Sequence, residues 1–490
     1  MNKLNVDENA GKMYKRGVVH KYGGTSVVTA RQDQEILRRI VEAYQRVPEN
    51  GYTVLVVSGQ GKFNHTIEGQ KATDHMYDIV NGDNPHNRPE QAWRRVQDNY
   101  ARKLIDHSLP ETTISALTKR VQKILESGNI NAQAKPLIIG FPELAEAEIL
   151  YALAEKDYPG KFVLLNDNFG LVGFRKENSS YIDVPINHEN SLNTIREMAW
   201  RDQPGLKGKI ILLPGFLGNS MNTNMAGRDL ITLERGSSDA TATYWGAALD
   251  LDEIVIYSDR PGVLPVDPGI VPDLAPLSEL SYREASAFAG LGAKIIQDIA
   301  IRPAEERRVK ILVKDSRNPE NGGTTIGVCG VSLERYGVKA IACDPDYAAV
   351  KVKRMRNSQR GIAAEVERQF ADHGFSIDDQ YDQSDSRLYI VRSNPQLHSL
   401  ISDLGRQHLV SFEYPAARVA LVGDGISIYQ KLRLGKDANK HFTDVLEGCD
   451  IPIYGYSRVE GSVMISAVIP EEYHQLALGK LAEEFDFKKD

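Results

Sequence analysis

Apolar positions along the chain follow two alternating rhythms. Short runs rich in β-branched residues read as buried strands: Val18-Val19, Tyr52 to Val57, Phe162 to Leu165, Lys209 to Leu213, Glu253 to Tyr257 and Lys310 to Val313. Between them, apolar residues spaced three and four apart read as helices. These are Arg31 to Tyr44 (Ile36, Leu37, Ile40, Val41) and the stretch after Gly140 with Leu144, Ile149, Leu150 and Leu153. Strand, helix, strand with loops at the strand ends predicts an α/β sheet, whose ligands collect beyond the carboxyl ends of its strands. Residues 81–131 are polar and carry two expected helices, Gln91 to His107 and Thr113 to Glu126, as an inserted helical subdomain or lid, or more simply a helical decoration. Past about Gly337 the pattern changes. A β–helix–Gly–β unit over Val350 to Val391 recurs over Arg418 to Val468, with Gly374 and Gly448 in matching places. Two small α+β modules are expected there, packed together within the chain or across a dimer.

Candidate chemistry gathers where the strands end. After Val18 and Val19 come Lys21, Tyr22, Gly23, Gly24, Thr25 and Ser26. The glycines permit close approach of the backbone to a ligand, and Thr25 and Ser26 can cap the next helix, whose N-terminus favours an anion. Lys21 adds a point charge beside that anion. The plainer reading is a strand–turn–helix joint with a solvated lysine. The second strand ends in Ser58-Gly59-Gln60-Gly61 and another in Pro214-Gly215, while Glu143 falls in the first turn of a helix. Arg235, Gly236, Ser237, Ser238 and Asp239 open an Ala-rich helix, a set able to bind a carboxylate and orient a charged group, or simply to cap the helix. Ser258, Asp259 and Gly262 follow a further strand, and Lys294 stands at a Gly-containing helix boundary.

The 490 residues suggest about three domains. A net charge of −7 without a basic block argues against a nucleic-acid partner. The three cysteines, Cys329, Cys343 and Cys449, have neither disulfide-framework nor zinc spacing, which predicts a reducing compartment. The polar start of the chain and the absence of a bilayer-length apolar run predict a cytoplasmic protein with no membrane partner.

With these motifs in order, the chain resembles the aspartate kinases, members of the amino-acid kinase family carrying two C-terminal ACT modules. The resemblance rests on Lys21 to Ser26, Phe141-Pro142-Glu143-Leu144, Pro214-Gly215-Phe216, Arg235 to Asp239, Ser258 to Val263 with Asp267-Pro268, and Gly292-Ala293-Lys294. It implies an amino-acid kinase fold, a mostly parallel sheet flanked by helices, over residues 18–336 after an extension of 1–17. ACT-like modules would follow at 337–410 and 411–490. It further implies transfer of the ATP γ-phosphoryl group to the side-chain carboxylate of L-aspartate, giving 4-phospho-L-aspartate at the start of the aspartate-derived pathway. Lys21 and Lys294 would then neutralise the phosphates, and Asp239 would organise the lysines and the substrate ammonium. Arg235 would clamp the α-carboxylate, Glu143 would meet the amino group, and Ser58 and Ser238 would donate hydrogen bonds. Gly23, Gly24, Thr25, Ser26, Ser258, Asp259 and Gly262 would line the nucleotide, and Mg2+ would bridge phosphate oxygens, with no metal ligand assigned to the protein. A homodimer or higher homo-oligomer is expected.

The chain departs from the family pattern in several places. After Ser58 the loop reads Gly61-Lys62-Phe63-Asn64-His65-Thr66 where the family has a Thr-Asn pair, with Asn64 or Thr66 as substitutes for it. Leu264 and Gly269 replace a Tyr and an Arg, Gln297-Asp298 replaces a His-Pro pair, and Asp382 to Asp385 replaces a Thr-Ser-Glu. The first departure keeps open a paralogue acting on another amino-acid carboxylate. A catalytically inactive amino-acid or nucleotide sensor is a third reading, opposed by the joint presence of Lys21, Glu143, Arg235, Asp239 and Lys294. The last departure predicts weak or absent inhibition by lysine.

Overall fold

The computed structural model describes residues 13–61, 71–82, 88–174, 181–202, 204–221, 229–234, 236–291, 296–329, 337–353, 362–382, 385–426, 435, 437–456 and 463–487. The chain packs as two compact units. One comprises Met1–Val263, Ser278–Tyr282 and Ile295–Val328; the other comprises Leu264–Leu277, Arg283–Lys294 and Cys329–Asp490.

The first unit is built on the strands β1 (Gly17–Tyr22), β2 (Tyr52–Val57), β3 (Phe162–Leu164), β4 (Val172–Gly173), β5 (Ile210–Pro214), β6 (Leu217–Ser220), β7 (Leu230–Thr232), β8 (Glu253–Ser258), β9 (Glu279–Ser281), β10 (Lys310–Asp315) and β11 (Thr324–Gly327). Eight of them form one sheet in the order β3-β5-β2-β1-β8-β10-β11-β9, and β4, β6 and β7 form a small second sheet. From β3 to β10 the neighbours run parallel, and only β11 turns antiparallel to β10. Helices cover a parallel sheet, so its strands read as unbroken apolar runs; every residue of β1 and β2 is buried.

Helix Ala30–Tyr44 packs Ile36, Leu37 and Ile40 on this sheet, beside Leu150, Leu153 and Ala154 of helix Phe141–Asp157. Each such side chain contributes about 1.5–3 kcal/mol by leaving water. The first of these helices begins one residue before the expected Arg31, but it is not capped by Thr25 or Ser26. Its cap is Thr29, whose hydroxyl accepts from Gln32 N while the Gln32 side chain returns to Thr29 N. This reciprocal box satisfies two orphan donors at once and outcompetes Thr25 and Ser26, which lie in a single 3-10 turn, Gly24–Ser26.

The insertion is part of a core and not an ornament. Its helices Pro89–Asp106 and Thr112–Glu126 supply Trp93, Val96, Tyr100, Leu104, Ile114, Leu117 and Val121, and the preceding helix Ala72–Asn81 adds Met76. These pack with Phe141 and Leu144 of helix Phe141–Asp157. Edge-to-face contacts of Trp93 and Tyr100 on Phe141, at 4.9 and 5.7 Å between ring centres, fix that helix where it begins.

The second unit holds one six-stranded sheet, in the order β13-β14-β12-β15-β17-β16. Its strands are β12 (Ala340–Lys353), β13 (Ile377–Asp382), β14 (Ser386–Arg392), β15 (Val410–Val422), β16 (Gly455–Tyr456) and β17 (Met464–Pro470). The first half of β12 pairs with the end of β15, and after a register shift at Asp344/Tyr347 its second half pairs with β14 and the start of β15. The two repeats seen in the sequence therefore share their two longest strands, which is why they pack as one unit. Helices Ile362–Asp372 and Leu397–Gly405 cover one half of the sheet, and Ala438–Glu447 and His474–Glu484 cover the other. Val266 and Val271, well before Gly337 in the chain, are buried in that second core. Among the described residues no helix is long and apolar enough to cross a membrane.

Candidate active site

Parallel register brings Tyr22, Val57, Pro214 and Tyr257 side by side at the carboxyl ends of β1, β2, β5 and β8. The segments leaving those ends are tied together by backbone hydrogen bonds. Ser58 N donates to Tyr22 O (3.1 Å), Gly215 N to Val57 O (2.8 Å) and Gly61 N to Gly24 O (2.9 Å). Glycine is required at two of these contacts. A Cβ on Gly24 would stand 2.5 Å from the Gly59 carbonyl oxygen, and a Cβ on Gly59 would stand 2.6 Å from Pro142 Cβ and 3.0 Å from Glu143 Cδ. The turn after β1, the loop after β2 and the start of helix Phe141–Asp157 are thus in mutual contact.

Lys21 lies near the end of β1. Its ammonium is 2.7 Å from Asp239 Oδ1, with both side chains about a tenth exposed (11% and 12%). Asp239 is in the first turn of helix Ser238–Ala248, where the helix dipole favours an acidic group. Ser238 is buried beside it and packs against the Gly215 backbone. A cation and an anion held together at a strand end, each still partly open to solvent, can rearrange around an incoming phosphate.

Glu143 is 4% exposed and accepts a hydrogen bond from Thr73 Oγ1 at 3.1 Å on Oε1. Its Oε2 has no hydrogen-bond partner among the described residues. Burial raises its pKa from 4.5 to about 7, against smaller lowering effects from backbone donors, Thr73 and Lys71. A buried carboxyl with a spare oxygen is a natural receptor for a ligand ammonium.

The remaining candidates are placed as follows. Gly23 N donates to Tyr257 O at 3.4 Å and Ser26 N to Gly23 O at 2.9 Å, with Ser26 buried and Thr25 exposed. Ser58 is half-buried at the end of β2. Ser258 ends β8, and its hydroxyl is engaged locally, accepting from Arg260 N at 3.1 Å. Asp259 is exposed, its carbonyl held by Arg317 Nη2 at 2.7 Å. Gly262 is buried at φ +149°. Arg235 and Lys294 lie outside the described residues, as do Gly292, Ala293, Phe63, Asn64 and Thr66. The departure at Gln297 is on the site's border, since its amide packs against Gly236.

The model of the amino acid kinase family matches residues 16–315. The chain belongs to the amino acid kinase family. Among its curated relatives, the aspartokinase of Thermus thermophilus is 28% identical over 297 residues, spanning 58% of this chain and 69% of that relative. The aspartokinase of Corynebacterium glutamicum is 35% identical over 173 residues, 35% of this chain and 40% of the relative. The fold is also that of E. coli aspartokinase III in complex with aspartate and ADP (TM-score 0.77, 20% identity, covering 96% of this chain and all of that one). An aspartate kinase from Clostridium acetobutylicum gives 0.71 at 19% identity, with the same coverage.

Within this amino acid kinase, residues of the first unit that the sequence reading missed stand next to Glu143. Thr73, which hydrogen-bonds Glu143, is 70 positions away on helix Ala72–Asn81, and no spacing links the two. Glu146, three positions on from Glu143, is on the same helix face and fully buried. A glutamate at that spacing from a site residue was the available signal.

Proposed function

We propose that this chain transfers the γ-phosphoryl group of ATP to the side-chain carboxylate of L-aspartate, releasing ADP and 4-phospho-L-aspartate, the first step of aspartate-derived amino-acid synthesis. The observation that carries the reading is the 2.7 Å Lys21–Asp239 pair at the carboxyl ends of the parallel strands. The family membership and the aspartokinase relatives support it.

The acceptor carboxylate is already ionised at neutral pH, so the reaction needs no general base. One carboxylate oxygen attacks the γ-phosphorus, and the bond to the β,γ-bridging oxygen breaks, its electron pair leaving with ADP. Catalysis then consists of in-line positioning and neutralisation of charge on the phosphoryl oxygens. In this reading Lys21 meets the transferring group, and Asp239 holds the Lys21 ammonium until the phosphate arrives. Arg235 takes the α-carboxylate through a paired guanidinium contact, and Glu143 takes the α-ammonium. Ser58 and Ser238 donate hydrogen bonds to the acceptor. The Gly23–Ser26 turn, Ser258, Asp259, Gly262 and Lys294 face the nucleotide. Mg2+ bound with ATP would neutralise further phosphate charge. Such an ion is held mainly by phosphate oxygens and water.

The test is trapping with hydroxylamine. ATP and a panel of amino acids are supplied, and any acyl phosphate is captured as a hydroxamate. Aspartate should give the hydroxamate and glutamate should not. A hydroxamate from another amino acid in place of aspartate would favour the paralogue reading, and none from any acceptor would remove the proposal.

A further inference from the structure

One buried ionic cluster in the first unit has no part in the chemistry above. Lys103, on helix Pro89–Asp106, is 3% exposed. Its ammonium lies 2.8 Å from Asp33 Oδ2, 2.5 Å from Glu146 Oε1 and 2.6 Å from the Val27 carbonyl oxygen. An ammonium has three donors, and all three are used. His107 Nε2 approaches the same Asp33 oxygen at 2.7 Å. Burial works against the Lys103 charge, but the Asp33 and Glu146 carboxylates outweigh it and raise the lysine's pKa.

The three acceptors belong to three segments. Asp33 is on helix Ala30–Tyr44, Glu146 is one turn beyond Glu143, and Val27 directly follows the Gly24–Ser26 turn. Neighbouring positions of the same insertion helix reach the other site loops. Tyr100 Oη donates to Pro142 O at 2.8 Å, and Asn99 Nδ2 donates to Gln60 Oε1. Gln60 Nε2 in turn donates to Val28 O at 2.9 Å.

Desolvation makes a buried ion cluster a poor source of stability, and well-packed apolar side chains often serve a core as well or better. What apolar side chains cannot do is hold a backbone carbonyl at a fixed point. We propose that Lys103 is a positioning residue of the phosphoryl-transfer site, fixing the turn after Gly23 and Gly24 through the Val27 carbonyl, with Asp33 and Glu146 holding its ammonium in place. The proposal rests on the kinase reading above and gives the helical insertion a part in the reaction.

The test compares wild type with Lys103→Met and with the double variant Lys103→Met/Glu146→Gln. The single variant strands buried carboxylates and loses stability; the double variant removes one of those charges and should regain much of it. Neither variant has a donor for Val27. Both should therefore show kcat lowered about 10- to 100-fold, the scale of a small misplacement at a reacting centre. Affinity for Mg-ADP by calorimetry should fall in both, while KM for the amino acid stays near the wild-type value. Recovery of kcat and ADP affinity together with melting temperature in the double variant would make the cluster structural and overturn the proposal. So would a double variant that fails to fold. Absence of hydroxamate from the wild-type enzyme would sink the kinase reading instead, while the ADP affinities would still report on Lys103.

Discussion

Glu143→Gln separates the proposed role of this residue from its place in the core. The amide keeps the shape and still offers Oε1 to Thr73 Oγ1, which donates at 3.1 Å, so what is removed is the ionisable proton. In the folded chain burial raises the Glu143 pKa from 4.5 to about 7. The folded state therefore binds a proton between those values that the unfolded state does not. It follows that this group's contribution to stability falls as pH rises from about 4.5 to 7 and is level above that. The span corresponds to roughly 3 kcal/mol at 1.36 kcal/mol per unit. The variant should lack that slope. Binding of an amino-acid ammonium favours the ionised carboxylate, so wild-type acceptor affinity should weaken as pH drops below about 7, by up to about tenfold per unit. At pH 8 the variant should lose a charge-assisted contact of about 1.5–3 kcal/mol, roughly 10- to 150-fold in acceptor affinity. Calorimetric titration of aspartate into both proteins from pH 5.5 to 8.5 measures this. If wild type and Glu143→Gln share one pH slope and one affinity, Glu143 does not receive the ammonium.

Arg235→Lys should raise KM for the acceptor by about tenfold or more, because an ammonium cannot reproduce the paired contacts of a guanidinium, while ATP affinity by calorimetry changes little. Gly59→Ala places a Cβ 2.6 Å from Pro142 Cβ and should cost about 1–3 kcal/mol by overpacking; an unchanged melting temperature would show that the loop moves freely. Truncation at Gly337 uncovers Val266 and Val271 and should leave a kinase fragment that aggregates unless both are made polar, as light scattering would record. Lysine added to the full-length enzyme should inhibit weakly or not at all. Asp382, in the departing stretch of the second unit, is already engaged by Arg387 at 2.7 Å, and strong inhibition by lysine in the hydroxamate assay would contradict that expectation.

Much of the first unit was legible in the chain, because a parallel sheet covered on both faces must be apolar throughout. Tyr52–Val57 shows this most clearly, coinciding with the predicted strand. Lys21, Glu143 and Asp239 were legible for the opposite reason, as charged groups at the ends of apolar elements. The cap at Thr29 was hidden by the hydroxyls of Thr25 and Ser26, and only the return contact from Gln32 decides between them. The shared strands of the second unit were hidden as well. In β15 Val410, Phe412 and Tyr414 alternate with Ser411 and Glu413, but Pro415 interrupts the run and reads as a strand end, so only the part from Arg418 was expected. The partnership of Thr73 with Glu143, and of Lys103 with Asp33 and Glu146, joins residues far apart in sequence, and one sequence carries no record of such pairs.

In the proposed reaction the Lys21 charge serves phosphoryl transfer and not the core. Lys21→Met alone leaves the Asp239 carboxylate without its 2.7 Å partner, which costs about 3 kcal/mol for a buried pair. The double variant Lys21→Met/Asp239→Asn removes that burden. Single-turnover transfer from γ-labelled ATP to aspartate should fall by about two orders of magnitude or more in both variants, while circular dichroism and the melting temperature of the double variant stay near wild type. Transfer at the wild-type rate in a folded Lys21→Met protein would contradict the account.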